Sequence, residues 1–363
     1  MFKKTSLALA VTGLAFAGQS IAAPSVNVSG FVDMGLEYYS GDGTGLIFNG
    51  YNSPAQGNSD EQNIAMNNPV TSRLIVSGSE EHDNGWTTGY HIETQIDVLD
   101  DDAANGTAPV TTRQANITLS KDKHNIKVGS QWSPLFEYSA WNAMKTEGHG
   151  YGAYYFTTAD LPGSLAYGFR NDSTINYTYG GGGYSTDPVT FTVAAHIGEG
   201  DATNEEALSG MTAGGAVSFG QVTVNGTYIK AMTTSADEPS LMSVGAKYRA
   251  NDQLELGFNY HSVDKDDVAG DKRTSMAFGG MYNVTPDLSV HAGFGAGEDD
   301  NGEELESNIY AQVIQSVSDT FHIRLELEQV SAKTFKDTNN DGTEDSIVSG
   351  DDTVAVVYLR QAF

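Results

Sequence analysis

The segment from Asp337 to Asp345 carries the residue types of a calcium-binding loop. Oxygen-bearing side chains stand at positions one, three, five, seven and nine, and Gly342 stands at position six, where such a loop turns. The ligand candidates are Asp337, Asn339, Asp341, Thr343 and Asp345. Position twelve is Val348 instead of a bidentate glutamate, so calcium binding would be weak unless Glu344 or Asp351 substitutes. An acidic turn without an ion is the alternative.

Motifs of familiar enzymes do not occur in the sequence. There is no H-E-x-x-H or G-x-S-x-G motif, and the lack of Cys excludes thiol catalysis. His149 lies between two glycines, with no neighbouring group to polarise it. The glycine runs at 41–45 and 180–183 lack the Lys-Ser/Thr of a phosphate-binding loop. We therefore expect no enzymatic activity and no cofactor apart from the calcium candidate.

Residues 1–22 have the pattern of a secretory signal peptide. Two lysines precede an apolar run at 7–17, and Ser20-Ile21-Ala22 forms a small-x-small cleavage site. The whole chain has 19 basic and 47 acidic residues and a formal charge of −28, which argues against nucleic-acid binding. Loss of the two lysines would leave an exported domain, 23–363, with a charge of −30.

Alternation of apolar and polar residues dominates the exported part. In the segment 254–261, Leu254, Leu256, Phe258 and Tyr260 take one face, and Glu255, Gly257, Asn259 and His261 take the other. After the signal peptide, no apolar run approaches the roughly 18 residues of a membrane helix. The chain is therefore either a soluble exported protein or a closed membrane β-barrel.

About sixteen alternating segments follow one another, separated by connections that are short and long in turn. Their lengths are close to the roughly 9–11 residues of a tilted membrane strand, whereas strands of a soluble sandwich average about five or six. An antiparallel transmembrane β-barrel with short periplasmic turns and long outer loops has this rhythm. The predicted strands lie near 25–39, 70–79, 85–98, 111–120, 124–131, 171–180, 188–197, 210–219, 221–231, 241–250, 253–263, 273–283, 287–297, 305–317, 319–332 and 352–363.

Five segments resemble the Gram-negative trimeric general-diffusion porins. In order and spacing, 26–33, 72–86, 112–134 and 170–177 are similar to the first six strands of that family. The chain ends on Val357–Phe363, which resembles the C-terminal strand of outer-membrane barrels that the barrel-assembly machinery reads. The resemblance implies an all-β, homotrimeric, sixteen-stranded barrel in the outer membrane.

The same resemblance implies that the third loop, 133–169, folds into the lumen and narrows it. In the family, basic side chains on the barrel wall face carboxylates on this loop. The matching wall residues are Arg73, Arg113 and Arg170, and the loop candidates are Glu137, Glu147 and Asp160. Such an arrangement would set a transverse field across a water-filled waist and orient dipolar solutes.

Each of the three arginines has an alternative role, which is to pair with a carboxylate or to brace the loop. Arg113 presents a further difficulty, because strict alternation groups it with Ile117 and Leu119. A β-bulge would turn it toward the lumen, and burial at a subunit contact or under the third loop is another solution.

The expected function is passive diffusion of small hydrophilic solutes and ions. Ser77 and Ser130 replace basic residues that are common in the family, and acidic clusters such as 100–102 and 199–206 lie in the long loops. We therefore expect weak cation selectivity. Divalent cations bridging these loops to lipid and lipopolysaccharide are a further hypothesis, with a solvated acidic face as the alternative.

Two other functions fit the sequence. Aromatic residues are frequent in the third loop and would suit an oligosaccharide-selective porin, unless they only pack the loop against the wall or belong to the aromatic belts. A surface attachment or scaffold barrel with a plugged lumen is the second alternative.

Overall fold

Alternation along the chain produces seventeen β-strands in the described part of the protein. The structure is a computed structural model. It describes residues 25–41, 62–67, 70–96, 98, 110–143, 170–183, 185–197, 208–232, 239–264, 272–299, 302, 304–336 and 346–363. The strands are β1 Ser25–Gly41, β2 Gln62–Asn67, β3 Ser72–Glu81, β4 Thr87–Ile96, β5 Val110–Lys121, β6 His124–Trp132, β7 Arg170–Tyr179, β8 Val189–Ile197, β9 Leu208–Phe219, β10 Val222–Ala231, β11 Ser240–Arg249, β12 Leu254–Asp264, β13 Lys272–Thr285, β14 Leu288–Asp299, β15 Glu304–Ser316, β16 Phe321–Lys336 and β17 Ser346–Ala362.

The sheet closes on itself as an antiparallel barrel of sixteen strands, as predicted. Both β2 and β3 pair with β1, at 35–40 and 25–31 respectively, so they are two halves of one barrel strand. On its other edge β1 pairs with β17. Closure satisfies every strand edge, which a β-structure in lipid requires.

The barrel exposes apolar side chains and buries polar ones. Along β12, Leu256 is exposed, whereas Asn259 and His261, on the opposite face, are buried in the interior. The outer face is thus suited to lipid, and the polar face turns to the lumen. Within the described residues, no helix has the length and apolar character needed to cross a membrane.

Two of the loops that the sequence predicts are shorter in the structure. The predicted first loop, 40–69, contains β2, and the last one, 333–351, contains the end of β16 and the start of β17, which pair as far as Lys336 and Ser346. Hydrogen bonds of the antiparallel ladder extend these strands through largely polar sequence. Such segments lack the apolar alternation that predicts a strand.

A β-bulge interrupts the pairing of β4 with β5. Glu93 lies opposite Gln114 and Thr94 lies opposite Thr112, which leaves Arg113 as the extra residue. A second irregularity occurs between β6 and β7, beyond Gly129. The first bulge is the one that an inward Arg113 requires.

Candidate constriction site

Arg73 and Arg113 meet at a buried glutamate of the strand between them. Arg113 Nε donates a hydrogen bond to Glu93 Oε1 at 2.7 Å, and Arg73 Nε lies 3.5 Å from the same oxygen. Gln114 Nε2 donates to the other carboxylate oxygen of Glu93 at 2.9 Å. Because of the bulge, adjacent residues 113 and 114 both reach this carboxylate, and the two arginines share its single negative charge.

Aromatic rings join the other cationic groups to this cluster. Trp132, at the end of β6, lies under the guanidinium groups of both Arg113 and Arg170, at 5.8 and 5.3 Å from the ring centre. On the other side, Phe31 lies under Arg73 at 5.2 Å and under Arg360 at 4.1 Å. These distances are those of cation–π contacts.

We call this set the arginine belt: Arg360, Phe31, Arg73, Glu93, Arg113, Trp132 and Arg170. It extends across the wall from β17 through β1 to β7. Arg360 is held in turn by Asp33 on β1, with Nη2–Oδ2 and Nε–Oδ2 distances of 2.6 and 3.0 Å. Arg73, Arg113 and Arg360 therefore each contact a carboxylate of the wall itself.

The third loop turns into the lumen directly after β6. A helical turn spans Phe136–Ala140 and continues into Trp141–Ala143. Three apolar side chains of this region are buried inside the barrel against the outer ends of three wall strands, and Phe136 stacks on Trp132 at 4.4 Å. The cluster consists of Leu135, Phe136 and Ala140 from the loop with Ile229, Ala231, Leu241 and Val263 from the wall.

Polar contacts fix the same segment across the barrel. Tyr138 Oη lies 3.1 and 3.0 Å from the hydroxyls of Thr190 and Thr192 on β8. Asn142 Nδ2 donates to Asn259 Oδ1 on β12 at 3.0 Å, and Asn259 donates to the carbonyl of Ser139. Tyr310 on β15 donates to the Ala143 carbonyl at 2.7 Å. We call residues 135–143 the seated segment.

Glu137 does not face the arginine belt. Its carboxylate lies over the β7–β8 turn, where a Cβ at Gly182 would come within 3.4 Å of Oε2. Burial raises the pKa of Glu137 above its ordinary value, and the charge of Lys127 only partly offsets this. The other predicted loop carboxylates, Glu147 and Asp160, lie outside the described residues.

The aromatic rings at the start of the third loop serve packing. Trp132 and Phe136 stack on each other, and Tyr138 is buried against β8. The structure does not describe the side chain of Trp141 or the rings from Tyr151 to Phe156. Among the residues that are described, no cluster of three or more His, Asp or Glu is placed to hold a metal ion, and the calcium candidates at 337–345 lie beyond them.

The predicted site residues do not include Glu93 and Asp33, although the sequence pattern around Glu93 indicates that its side chain faces the lumen. His91, Glu93 and Gln95 alternate with Ile92 and Ile96, which marks a polar inner face on β4. For Asp33 and Tyr310, the partners lie 327 and 167 residues away, and alternation within one strand cannot identify such pairs.

Comparisons with known proteins place the chain in a family. A family model described as Gram-negative porin matches residues 5–302. No curated protein sequence matches. The anion-selective porin from Comamonas acidovorans is 15% identical, with a TM-score of 0.63 over 94% of this chain and 100% of its own.

Two other solved structures have the same fold. The outer membrane channel DcaP of Acinetobacter baumannii is 15% identical, with a TM-score of 0.65 over 96% of this chain and 100% of its own. A trimer form of the outer membrane protein OmpT of Vibrio cholerae is 14% identical, with a TM-score of 0.62 over 94% and 100%. Family and fold are those of an outer-membrane diffusion channel rather than an enzyme. The chain belongs to the Gram-negative porin family.

Proposed function

We propose that the protein forms a homotrimeric, water-filled channel with weak cation selectivity, narrowed by the third loop at the level of the arginine belt. Passive diffusion of small hydrophilic solutes and ions through its lumen needs no energy coupling. The trimer is supported by the trimer form of a protein with the same fold. The selectivity is the part that the charges of this chain must decide.

The observation that carries the cation preference is the position of Glu93. Arginines facing a lumen would favour anions, but Glu93 contacts both Arg73 and Arg113, and Asp33 contacts Arg360. Glu93 offsets one of the two charges of Arg73 and Arg113, and Asp33 offsets the charge of Arg360, which leaves the belt only two net positive charges. The acidic excess of the chain, with 47 acidic and 19 basic residues, outweighs these charges and gives the mouth a negative potential. Cations are therefore concentrated at the mouth and anions are depleted.

The first test is conductance of the purified, detergent-extracted protein in a planar bilayer. Reversal potential is measured under a salt gradient, because the ratio of cation to anion permeability follows directly from it. We expect ohmic openings in groups of three and a modest cation preference that fades in concentrated salt, where the Debye length falls to about 3 Å at 1 M. An electrically silent trimer would contradict the channel and favour the scaffold alternative.

A variant at Glu93 tests the source of the selectivity. Glu93→Gln keeps the shape of the side chain and removes the charge that Arg73 and Arg113 share, so the reversal potential should move toward that of an anion-preferring channel. The matched control is Glu255→Gln, which also removes one lumenal charge, but from a pair whose arginine, Arg249, is 63% exposed and screened by solvent. Equal shifts in the two variants would contradict a special role for Glu93.

A further inference from the structure

Five glycines lie where the wall meets the seated segment. Gly183 follows β7, and Gly214, Gly245, Gly257 and Gly279 lie on β9, β11, β12 and β13. A Cβ at Gly214 would come within 2.7 Å of the Tyr138 ring, and one at Gly245 would meet the Asn142 amide. At Gly183, Gly257 and Gly279 it would overlap the backbone carbonyls of Glu137, Asn142 and Ala143 respectively.

Backbone conformation does not require glycine at the two strand positions with the tightest contacts. Gly257 and Gly279 do not have the positive φ of Gly85 or Gly220. A glycine inside a strand weakens the strand unless another backbone approaches closely. Here the approaching backbone is that of residues 142 and 143, whose carbonyl oxygens face the bare Cα positions of the two glycines.

We propose that Gly257 and Gly279 are positioning residues that set the width of the waist, because they let the main chain of the third loop lie directly on the wall. A methyl group at either site meets backbone, which cannot rotate away as a side chain can. The segment must then move toward the pore axis by about the size of that methyl group. This inference rests on the proposed constriction by the third loop.

The test uses Gly257→Ala and Gly279→Ala in the full-length trimer, with Gly226→Ala as the matched control. Gly226 is also a strand glycine, but a Cβ there has its nearest neighbour at 3.4 Å, an ordinary contact. In both variants we expect a lower single-channel conductance than in the wild type. We also expect both variants to exclude neutral polymers that are small enough to enter the wild-type channel. The control should have wild-type values of both quantities. Both glycines position the same segment, so their effects should not be independent. The double variant should keep more of the wild-type conductance than the product of the fractions that the two single variants keep.

The possible results separate the inference from the function on which it depends. A wild-type protein that conducts, together with glycine variants that fold as trimers and conduct like Gly226→Ala, would overturn the inference and leave the channel intact. A silent wild type would overturn the proposed function itself.

A second measurement covers the case in which the alanine variants fail to fold. The chain has no native Cys, so Asn142→Cys with Asn259→Cys gives a single thiol pair at a site where the native side chains lie 3.0 Å apart. We expect a short bis-maleimide, which spans more than a disulfide does, to link the two thiols in the assembled trimer. Thiols that react with a monofunctional maleimide but are not linked by the bis-maleimide would show that the segment does not lie on β12, and so would overturn the inference.

Discussion

Glu137 is placed where burial opposes its charge, and this gives the channel a predictable response to acid. Its raised pKa means that it takes up a proton before exposed glutamates, whose pKa values lie near 4.3. As the pH falls from neutral, the lumen should lose the negative charge of Glu137 first. The cation preference should therefore begin to decline at pH values above those at which exposed carboxylates take up protons. Reversal potential as a function of pH measures this decline, and Glu137→Gln should remove its early part.

The raised pKa of Glu137 also determines how pH affects the stability of the third loop in its position on the wall. The folded protein binds the Glu137 proton more tightly than the unfolded chain does, so its stabilising contribution is complete below the unfolded pKa and is lost as the pH rises through the folded pKa. The third loop is thus held more firmly in acid. Identical pH profiles for the wild type and Glu137→Gln would contradict both statements.

At the scale of single residues, the sequence predicts three arginines of the belt but not the carboxylates that contact them. Arg73, Arg113 and Arg170 lie together on the arginine belt, where Arg73 and Arg113 contact Glu93 and Arg170 lies over Trp132. Whether they line the conducting path stays a prediction. Alternation could not establish the orientation of Arg113, because a bulge depends on the register with β4, which one strand does not encode.

A substitution in the seated segment can weaken its packing without changing any residue of the barrel wall. Phe136 is buried among loop and wall side chains, so Phe136→Ala should cost about 3 kcal/mol of local stability. We expect larger current fluctuations and faster proteolysis within the third loop, while the barrel stays folded. Phe294→Ala, on the outer face of β14, removes the same ring without a loop contact and is the control. Equal proteolysis in both variants would contradict the prediction.

Strands and the seated segment differ in how far the sequence encodes them locally. Each strand has its own apolar and polar faces, so the pattern of each segment predicts a strand independently of the others. The seated segment has no such pattern, since its position is fixed by Thr190, Asn259 and Tyr310 on three distant strands. Its helical turn was therefore not predicted.

For the whole barrel, closure involves the last residue. Phe363 and Gly30 exchange two backbone hydrogen bonds, of 3.0 and 3.2 Å, and the Phe363 ring is exposed. Phe363→Ala keeps both bonds, so protein refolded in detergent should have the same heat-modifiable mobility as the wild type. In cells, less protein should reach the outer membrane if the assembly machinery reads the ring. Unchanged outer-membrane levels would contradict this role for Phe363.

The contact between Tyr310 and Ala143 also has a consequence for the order of folding. It spans 167 residues, and the other anchors of the segment lie on β8 and β12. Contacts of such long range form late, after the chain between them is in place. The waist can therefore become narrow only when most of the wall exists. Tyr310 lies on β15, close in sequence to β17, whose pairing with β1 closes the barrel. The last anchor of the seated segment and the closure of the wall are therefore completed by the same part of the chain.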